Sequence, residues 1–131
     1  MTRASSRSGP KAWDEVTVVL LDDATIAPAN ARVFGRDRPT DVITQAYRPP
    51  PGRTAWTGEI LVNVERATTL PRPSAELALY IAHGCDHLCG GRDGSPAARA
   101  RMLRREKRWL RAARLVGFDP DRLLAPRRGP R

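Results

Sequence analysis

A chain of 131 residues is long enough for one domain with a single modest core. Its 23 lysines and arginines against 14 acidic residues give a formal net charge of +9, which favours a polyanionic partner such as nucleic acid. Two cysteines are too few for the disulfide framework of a small secreted protein, and no apolar run approaches the roughly 20 residues of a membrane span. These features predict a cytoplasmic protein without a membrane partner.

The first half of the chain predicts three strands and one short helix. Residues 1–12 are rich in Ser, Arg, Gly and Pro and are predicted to form a disordered basic segment. The β-branched run Glu15–Leu21 predicts a buried strand, and Asp23 is placed to cap a short helix through Asn30. Residues 41–47 and 59–64 predict two further strands, separated by a proline-rich loop.

The second half predicts two helices. Apolar residues at helical spacing indicate a helix from Ser74 to Leu88, which the pair Gly90-Gly91 ends. Ser95 begins a second helix that ends near Gly117 and has one apolar and one strongly basic side. Residues 119–131 are predicted to form a flexible Arg/Pro-rich tail. The fold class is therefore α+β, with a small mixed β-sheet packed with helices in a domain spanning 13–118.

Two histidines on the first of these helices indicate a metal site. His83 and His87 are four residues apart, so both imidazoles project from one helix face. The Gly90-Gly91 turn lets the chain fold back and bring Asp93 to the same point. Two histidines and a carboxylate leave the fourth position of a tetrahedral ion open. We predict one Zn²⁺ per chain, bound by His83, His87 and Asp93, although a partly buried helix face without metal can carry the same pair of histidines.

The cysteines of this segment are the competing ligands. Cys85 and Cys89 are also four residues apart, but they lie roughly 200° around the helix from the histidines, so both pairs cannot bind one ion. We interpret both cysteines as small buried apolar residues. Asp86 either forms a hydrogen bond with a ligand histidine or is an exposed helix carboxylate.

The metal motif resembles the signature of the YbeY family, bacterial endoribonucleases of ribosomal RNA maturation. Two further blocks are similar to that family, one beginning at Asn30 and one at Gly58, and the resemblance covers about Val16 to Leu110. Asp93 stands where most members have a third histidine, and Phe34 stands where many carry an arginine thought to contact RNA. The matching residues are His83, Gly84, His87, Leu88 and Gly90, then Asn30, Gly35, Asp37, Pro39, Thr40, Asp41 and Val42, then Gly58, Glu59 and Ile60.

The resemblance implies a zinc-dependent, single-strand-specific endoribonuclease that acts in 16S rRNA 3′-end maturation and ribosome quality control. Its implied partners are ribosomal RNA and the small ribosomal subunit. Glu59, on a strand that runs beside the metal helix in the family, is the candidate catalytic acid or base, and a solvent-facing strand-end carboxylate is the alternative. The candidate RNA-binding residues are Arg36 and Arg38, for which surface solvation is equally consistent, and Arg104, Arg105 and Arg108 on the basic side of the last helix.

Two other functions remain open at this point. Family members usually have a strand and a helix ahead of the segment that matches Glu15, so we expect uncovered apolar surface beside the Val16–Leu20 strand. This difference favours a non-catalytic RNA- or ribosome-binding module whose metal is structural. A metalloprotease is less favoured, because Gly84 stands where metzincin proteases have the glutamate that serves as general base.

Overall fold

The computed structural model describes residues 11–124, which form a three-stranded mixed sheet and four α-helices. The α+β class predicted from the sequence is confirmed. Both long helices and all three strands were expected, whereas the short second helix was not, because five residues are too few to show a helical period. The elements are β1 (Trp13–Leu21), α1 (Asp23–Phe34), β2 (Val42–Tyr47), β3 (Trp56–Asn63), α2 (Val64–Thr68), α3 (Pro73–Leu88), α4 (Pro96–Arg114) and a 3-10 turn at Pro120–Arg122.

The central strand of the sheet is β3, which is parallel to β1 and antiparallel to β2. Ile60 is paired with Val18 on one side and with Thr44 on the other. Because successive strand residues point to opposite faces, Ile60 and Val62 face one side of the sheet and Leu61 faces the other. Each face is covered by a different helix.

Two apolar clusters hold these helices on the sheet. On the α3 face, Ile60 and Val62 are fully buried against Leu77, Tyr80 and Leu88. On the opposite face, Leu61 and Ile43 pack against two residues of α1, Ile26 and Ala29. Because alternate side chains of β3 point to opposite faces of the sheet, α3 and α1 pack on opposite faces.

Helix α1 differs from the sequence prediction at both ends. Its N-cap is Asp22 rather than Asp23, since the Asp22 carboxylate accepts a hydrogen bond of 2.9 Å from the Thr25 backbone N–H. The helix continues past Asn30, through Pro28, to Phe34, and Gly35 ends it in the left-handed conformation. Burial of Ile26 and Ala29 on either side of Pro28 offsets the hydrogen bond that the proline removes.

The flexible C-terminal tail was predicted to begin at residue 119, which is too early. Residues 119–124 are packed against the domain: Asp121 forms ion pairs with Arg72 and Arg114, and Ser74 accepts a hydrogen bond of 2.8 Å from the backbone N–H of Leu124. Helix α4 ends at Arg114 rather than near Gly117. The remainder of the predicted tail, 125–131, and residues 1–10 of the predicted N-terminal segment lie outside the described residues.

Strand β1 lies at an edge of the sheet and exposes apolar side chains on its α3-facing side. Val16 is 40% exposed, Val18 39% and Leu20 56%, as the sequence led us to expect. None of the helices between residues 11 and 124 is long and apolar enough to span a membrane.

The contact between α3 and the sheet depends on a glycine. A Cβ atom at position 84 would lie 2.5 Å from Cγ2 of Ile60, which is closer than real Cβ contacts allow. Gly84→Ala should therefore lower the free energy of unfolding by about 1–3 kcal/mol, measured by urea denaturation, although alanine is otherwise the better helix former. Gly94→Ala is the matched control, because no atom lies within 4 Å of its Cβ position. Equal stabilities of the two variants would contradict the close packing.

Candidate metal centre

The two histidines lie at the edge of the sheet formed by β2. Helix α3 packs close to β2 and β3 through Gly84, whose Cβ position lies 3.2 Å from Cγ2 of Thr44. His83 and His87 then line the same cavity as Thr44. The side chains of His83 and His87 are 29% and 27% exposed, so a bound ion there would be accessible from solution.

The turn after α3 brings the third ligand. Gly90 has a φ of +98°, which favours glycine, and the backbone N–H of Gly91 donates a 2.8 Å hydrogen bond to the carbonyl of Asp86. Gly91 must also be a glycine, because a Cβ there would lie 2.4 Å from the Asp86 carboxylate. The chain folds back within this turn and places Asp93 beside both histidines, as predicted.

The three side chains form a triangle of metal-ligating atoms. Nε2 of His83 and Nε2 of His87 are 3.1 Å apart, and Oδ2 of Asp93 lies 3.4 Å from His87 Nε2 and 3.8 Å from His83 Nε2. A tetrahedral zinc site with ligand bonds of 2.0–2.1 Å has ligand-to-ligand separations of about 3.3–3.4 Å. The observed triangle is therefore close to the size that a small divalent ion requires.

Hydrogen bonds on the far side of each imidazole fix which nitrogen faces the triangle. Nδ1 of His87 lies 3.1 Å from the carbonyl oxygen of Gly91, which can only accept, so Nδ1 carries the proton and donates it. Nδ1 of His83 lies 2.9 Å from Oε2 of Glu106, and it donates likewise when that carboxylate is ionised. In its neutral form, each ring then directs a lone pair at the other ring and at Asp93. Three converging acceptors repel one another unless a cation lies between them, so the donor set fits a divalent metal.

Glu106 is a site residue that the sequence reasoning missed. It is only 1% exposed and lies one helical turn after Met102, the other buried residue of α4. Burial raises the pKa of Glu106, as does the neighbouring Asp86 carboxyl group, while the hydrogen bond with His83 opposes the shift. The available signal was that Glu106 is the one acidic residue in a helix rich in arginine, on the same face as an apolar residue.

Arg105, predicted to bind RNA, is instead bound to Asp86. Its Nε and Nη2 atoms donate hydrogen bonds of 3.1 and 2.9 Å to Oδ1 of Asp86, whose side chain is 2% exposed. Asp86 is thus neither an exposed carboxylate nor a direct partner of a ligand histidine. The predicted residues Arg104 and Arg108 are exposed on α4. The interpretation of the cysteines is also corrected, since Cys85 is half-buried and Cys89 is exposed.

Glu59 is not brought to the metal centre. It follows Gly58 and precedes Ile60, both of which face α3, so its side chain points to the opposite face of the sheet. There the Tyr47 hydroxyl lies 3.4 Å from Oε1 of Glu59. The strand does run beneath the metal helix as expected, but the side-chain alternation directs the carboxylate away from it.

A groove of about 710 Å³ lies against the ligand triangle. The predicted residues Arg36 and Arg38 line it, together with Arg66 of α2, which the sequence did not single out. Phe34 and Asp41 also contribute to its wall. Arg104 and Arg108 are not among the described residues that line this groove. The arrangement places guanidinium groups and a metal-ligating cluster around one open space.

We expect Glu106 to hold His83 in its ligating orientation. Glu106→Ala should weaken Zn²⁺ binding, used as the probe ion, by roughly 10- to 100-fold, and Glu106→Gln by less, because glutamine still accepts from Nδ1. Competition with a chromophoric chelator measures the affinity. Glu15→Ala, which removes an exposed carboxylate on β1, is the control. Unchanged affinity in a correctly folded Glu106→Ala would contradict the role.

Loss of the Asp86–Arg105 ion pair should lower the free energy of unfolding rather than the affinity for RNA. Arg105→Ala leaves the Asp86 carboxylate buried without a counter-charge, so we expect a loss of about 2 kcal/mol in the free energy of unfolding, below the value for a fully buried pair because Arg105 is partly exposed. Arg104→Ala and Arg108→Ala should cost less than about 0.5 kcal/mol. Replacing both partners with leucine should recover most of the loss, and failure to do so would show that the pair is not the cause.

Comparison with known proteins places these features in a family. The family model described as Endoribonuclease YbeY matches residues 2–114. The chain is 34% identical over 108 residues to the Endoribonuclease YbeY of Anaeromyxobacter sp. (strain Fw109-5), covering 79% of the chain and 56% of that protein. It is 37% identical over 111 residues to that of Rhodopirellula baltica, covering 79% of the chain and 55% of the relative.

The chain thus spans little more than half the length of these two curated relatives. A third match is the Endoribonuclease YbeY of Methylocella silvestris. The two proteins are 34% identical over an alignment that covers 95% of the chain and 78% of the relative. The match over residues 2–114, and the agreement of the motif with the observed ligand triangle, lead to one conclusion: the chain belongs to the YbeY family.

Proposed function

We propose that this chain is a zinc-dependent endoribonuclease that cleaves single-stranded RNA. The observation that carries the proposal is the triangle of His83, His87 and Asp93, whose acceptor atoms converge at the wall of a groove lined by arginines. The name Endoribonuclease YbeY of the related proteins supports the same reaction class. The net charge of +9 is suited to attracting a polyanionic strand.

The residues of the groove divide into binding and orienting groups. His83, His87 and Asp93 would hold the ion, and Glu106 and the Gly91 carbonyl orient the two imidazoles. When bound, a divalent ion supplies Lewis acidity for hydrolysis of a phosphodiester. Guanidinium groups bind phosphate oxygens through paired N–H donors, so Arg36, Arg38 and Arg66 are the groups that we assign to the RNA backbone.

Asp41 takes the place of Glu59 as the candidate proton-transfer group. It lines the groove beside the triangle and is not one of the three ligands. Its Oδ1 accepts a 2.8 Å hydrogen bond from the backbone N–H of Val42, which fixes the orientation of the carboxylate. A carboxylate held in this way can accept a proton from water positioned in the groove.

The biological role that we propose is maturation of the 3′ end of 16S rRNA and ribosome quality control in the cytoplasm. Ribosomal RNA and the small ribosomal subunit would be the partners. Membership of the family supports this assignment, and the exposed basic residues of α4, which include Arg104 and Arg108, offer a second surface for a large RNA.

A non-catalytic RNA-binding module with a structural metal is the second candidate. It is favoured by the position of Glu59 on the opposite face of the sheet, which leaves Asp41 as the carboxylate available for proton transfer among the described residues of the groove. A protease is not favoured, because Gly84 packs against Ile60 and supplies no general base.

Cleavage of a labelled single-stranded RNA by the zinc-loaded protein tests the proposal. His83→Ala and Asp93→Ala should lose both bound metal and cleavage, since each variant lacks a ligand. Asp41→Asn should keep its metal and slow cleavage by about 100-fold or more. Glu59→Gln is the control and should cleave at the wild-type rate. Stoichiometric zinc and RNA binding without cleavage at any pH would leave the binding module as the function.

A further inference from the structure

Phe34 is exposed within the groove rather than buried in the core. It is the last residue of α1, and its side chain is 59% exposed although it lines the same cavity as the metal triangle. The neighbouring residue Val33 packs into the α1 cluster, so the apolar contact of the helix end is made without Phe34. A single exposed apolar residue is ordinary on a convex surface, but this ring lies in a concave wall that it shares with Arg36 and Arg38.

The segment that follows Phe34 is held in one conformation. Asn30 is 4% exposed, and its side-chain amide donates a 2.8 Å hydrogen bond to the carbonyl of Arg38. The backbone N–H of Gly35 donates to the carbonyl of Ala31 at 2.9 Å. The aromatic ring and the arginines of this segment therefore start from a fixed backbone, which reduces the entropy lost when a ligand binds.

The three arginines of the groove form no ion pair among the described residues. Within residues 11–124, Arg36, Arg38 and Arg66 are absent from the salt bridges that the structure shows. Their guanidinium groups are thus available to a polyanion. An aromatic face beside unpaired guanidinium groups is the combination that binds single-stranded nucleic acid, because bases stack on the ring and phosphates bind the cations.

We propose that Phe34 is a stacking platform for one unpaired base of an RNA strand lying in this groove. The identity of the strand as RNA rests on the proposed function, whereas the stack itself needs no cleavage. The base must be unpaired, since a base inside a duplex offers its face only to its neighbours. Arg36, Arg38 and Arg66 bind the phosphates on either side of the stacked nucleotide.

A double-mutant cycle between protein and RNA tests the stack. The full chain is titrated by fluorescence anisotropy with a short single-stranded oligouridine, and with strands in which one base at a time is replaced by an abasic site. Phe34→Leu should weaken binding of the intact strand by about 5- to 100-fold, and Phe34→Trp should bind at least as tightly as wild type. On the strand whose missing base is the stacked one, wild type and Phe34→Leu should bind equally.

Tyr47→Leu is the matched control. Tyr47 is an aromatic residue that is 47% exposed, on β2 but outside the residues that line the groove. Its replacement should leave affinity unchanged. Because Phe34→Leu removes no charge, the dependence of log affinity on log salt should keep its wild-type slope, whereas Arg38→Ala should reduce that slope by roughly 0.7 per lost contact. Thermal denaturation of each variant should be measured to check that the variant is folded.

The outcomes separate the stack from the proposed catalysis. A loss of affinity in Phe34→Leu that is equal on intact and abasic strands would overturn the stack, as would an effect no larger than that of Tyr47→Leu. Phe34-dependent binding of polyglutamate as tight as that of RNA would also overturn it, and would assign the groove to an acidic protein. A base-dependent effect of Phe34 in a protein that never cleaves RNA would uphold the stack while the proposed nuclease activity fails.

Discussion

The close approach of α3 to the sheet is the contact on which the position of the metal centre in its groove depends. Gly84 allows the helix to lie against Ile60 and Thr44 with no side chain between them. His83 and His87 stand on the helix face next to that contact, so their height above the β2 edge is set by the same packing. The turn that carries Asp93 is hydrogen-bonded to the end of α3, so a helix held further from the sheet would move the whole ligand triangle away from Asp41 and Arg38 on the other wall of the groove. The stability of the fold and the geometry of the site therefore share one cause.

A buried polar layer joins α3 to α4 beneath the site. Glu106 contacts His83, and Arg105 contacts Asp86, so two adjacent residues of α4 meet two residues of α3 that lie about one helical turn apart. Burying two carboxylates is unfavourable unless each has a partner, and here an imidazole and a guanidinium provide them. Helix α4 buries only one apolar side chain along its described length, Met102. Its position is thus specified by polar contacts that also orient a metal ligand, which links the packing of α4 to the competence of the site.

The two edges of the sheet differ chemically. The metal triangle and the arginine-lined groove lie around the edge strand β2, while the edge strand β1 exposes Val16, Val18 and Leu20. The guanidinium groups of the groove are suited to a phosphate backbone, and Phe34 adds an apolar face at the same place. Recognition of the backbone and of a base can then occur within one groove, next to the ligand triangle.

The sequence alone determined the local elements and the ligand set. Helical spacing, glycine at the turn and residue chemistry are properties of short segments, so His83, His87 and Asp93, the two long helices and the three strands could be predicted before any contact was known. Only the tertiary structure decided what faces the site. The carboxylate of Glu59 is directed away by the alternation of β3 relative to a helix many residues later, and Arg105 is taken up by Asp86 from another helix. Glu106 and Arg66 reach the site from helices whose placement no local pattern reveals, because long-range packing fixes which face of each element meets which neighbour.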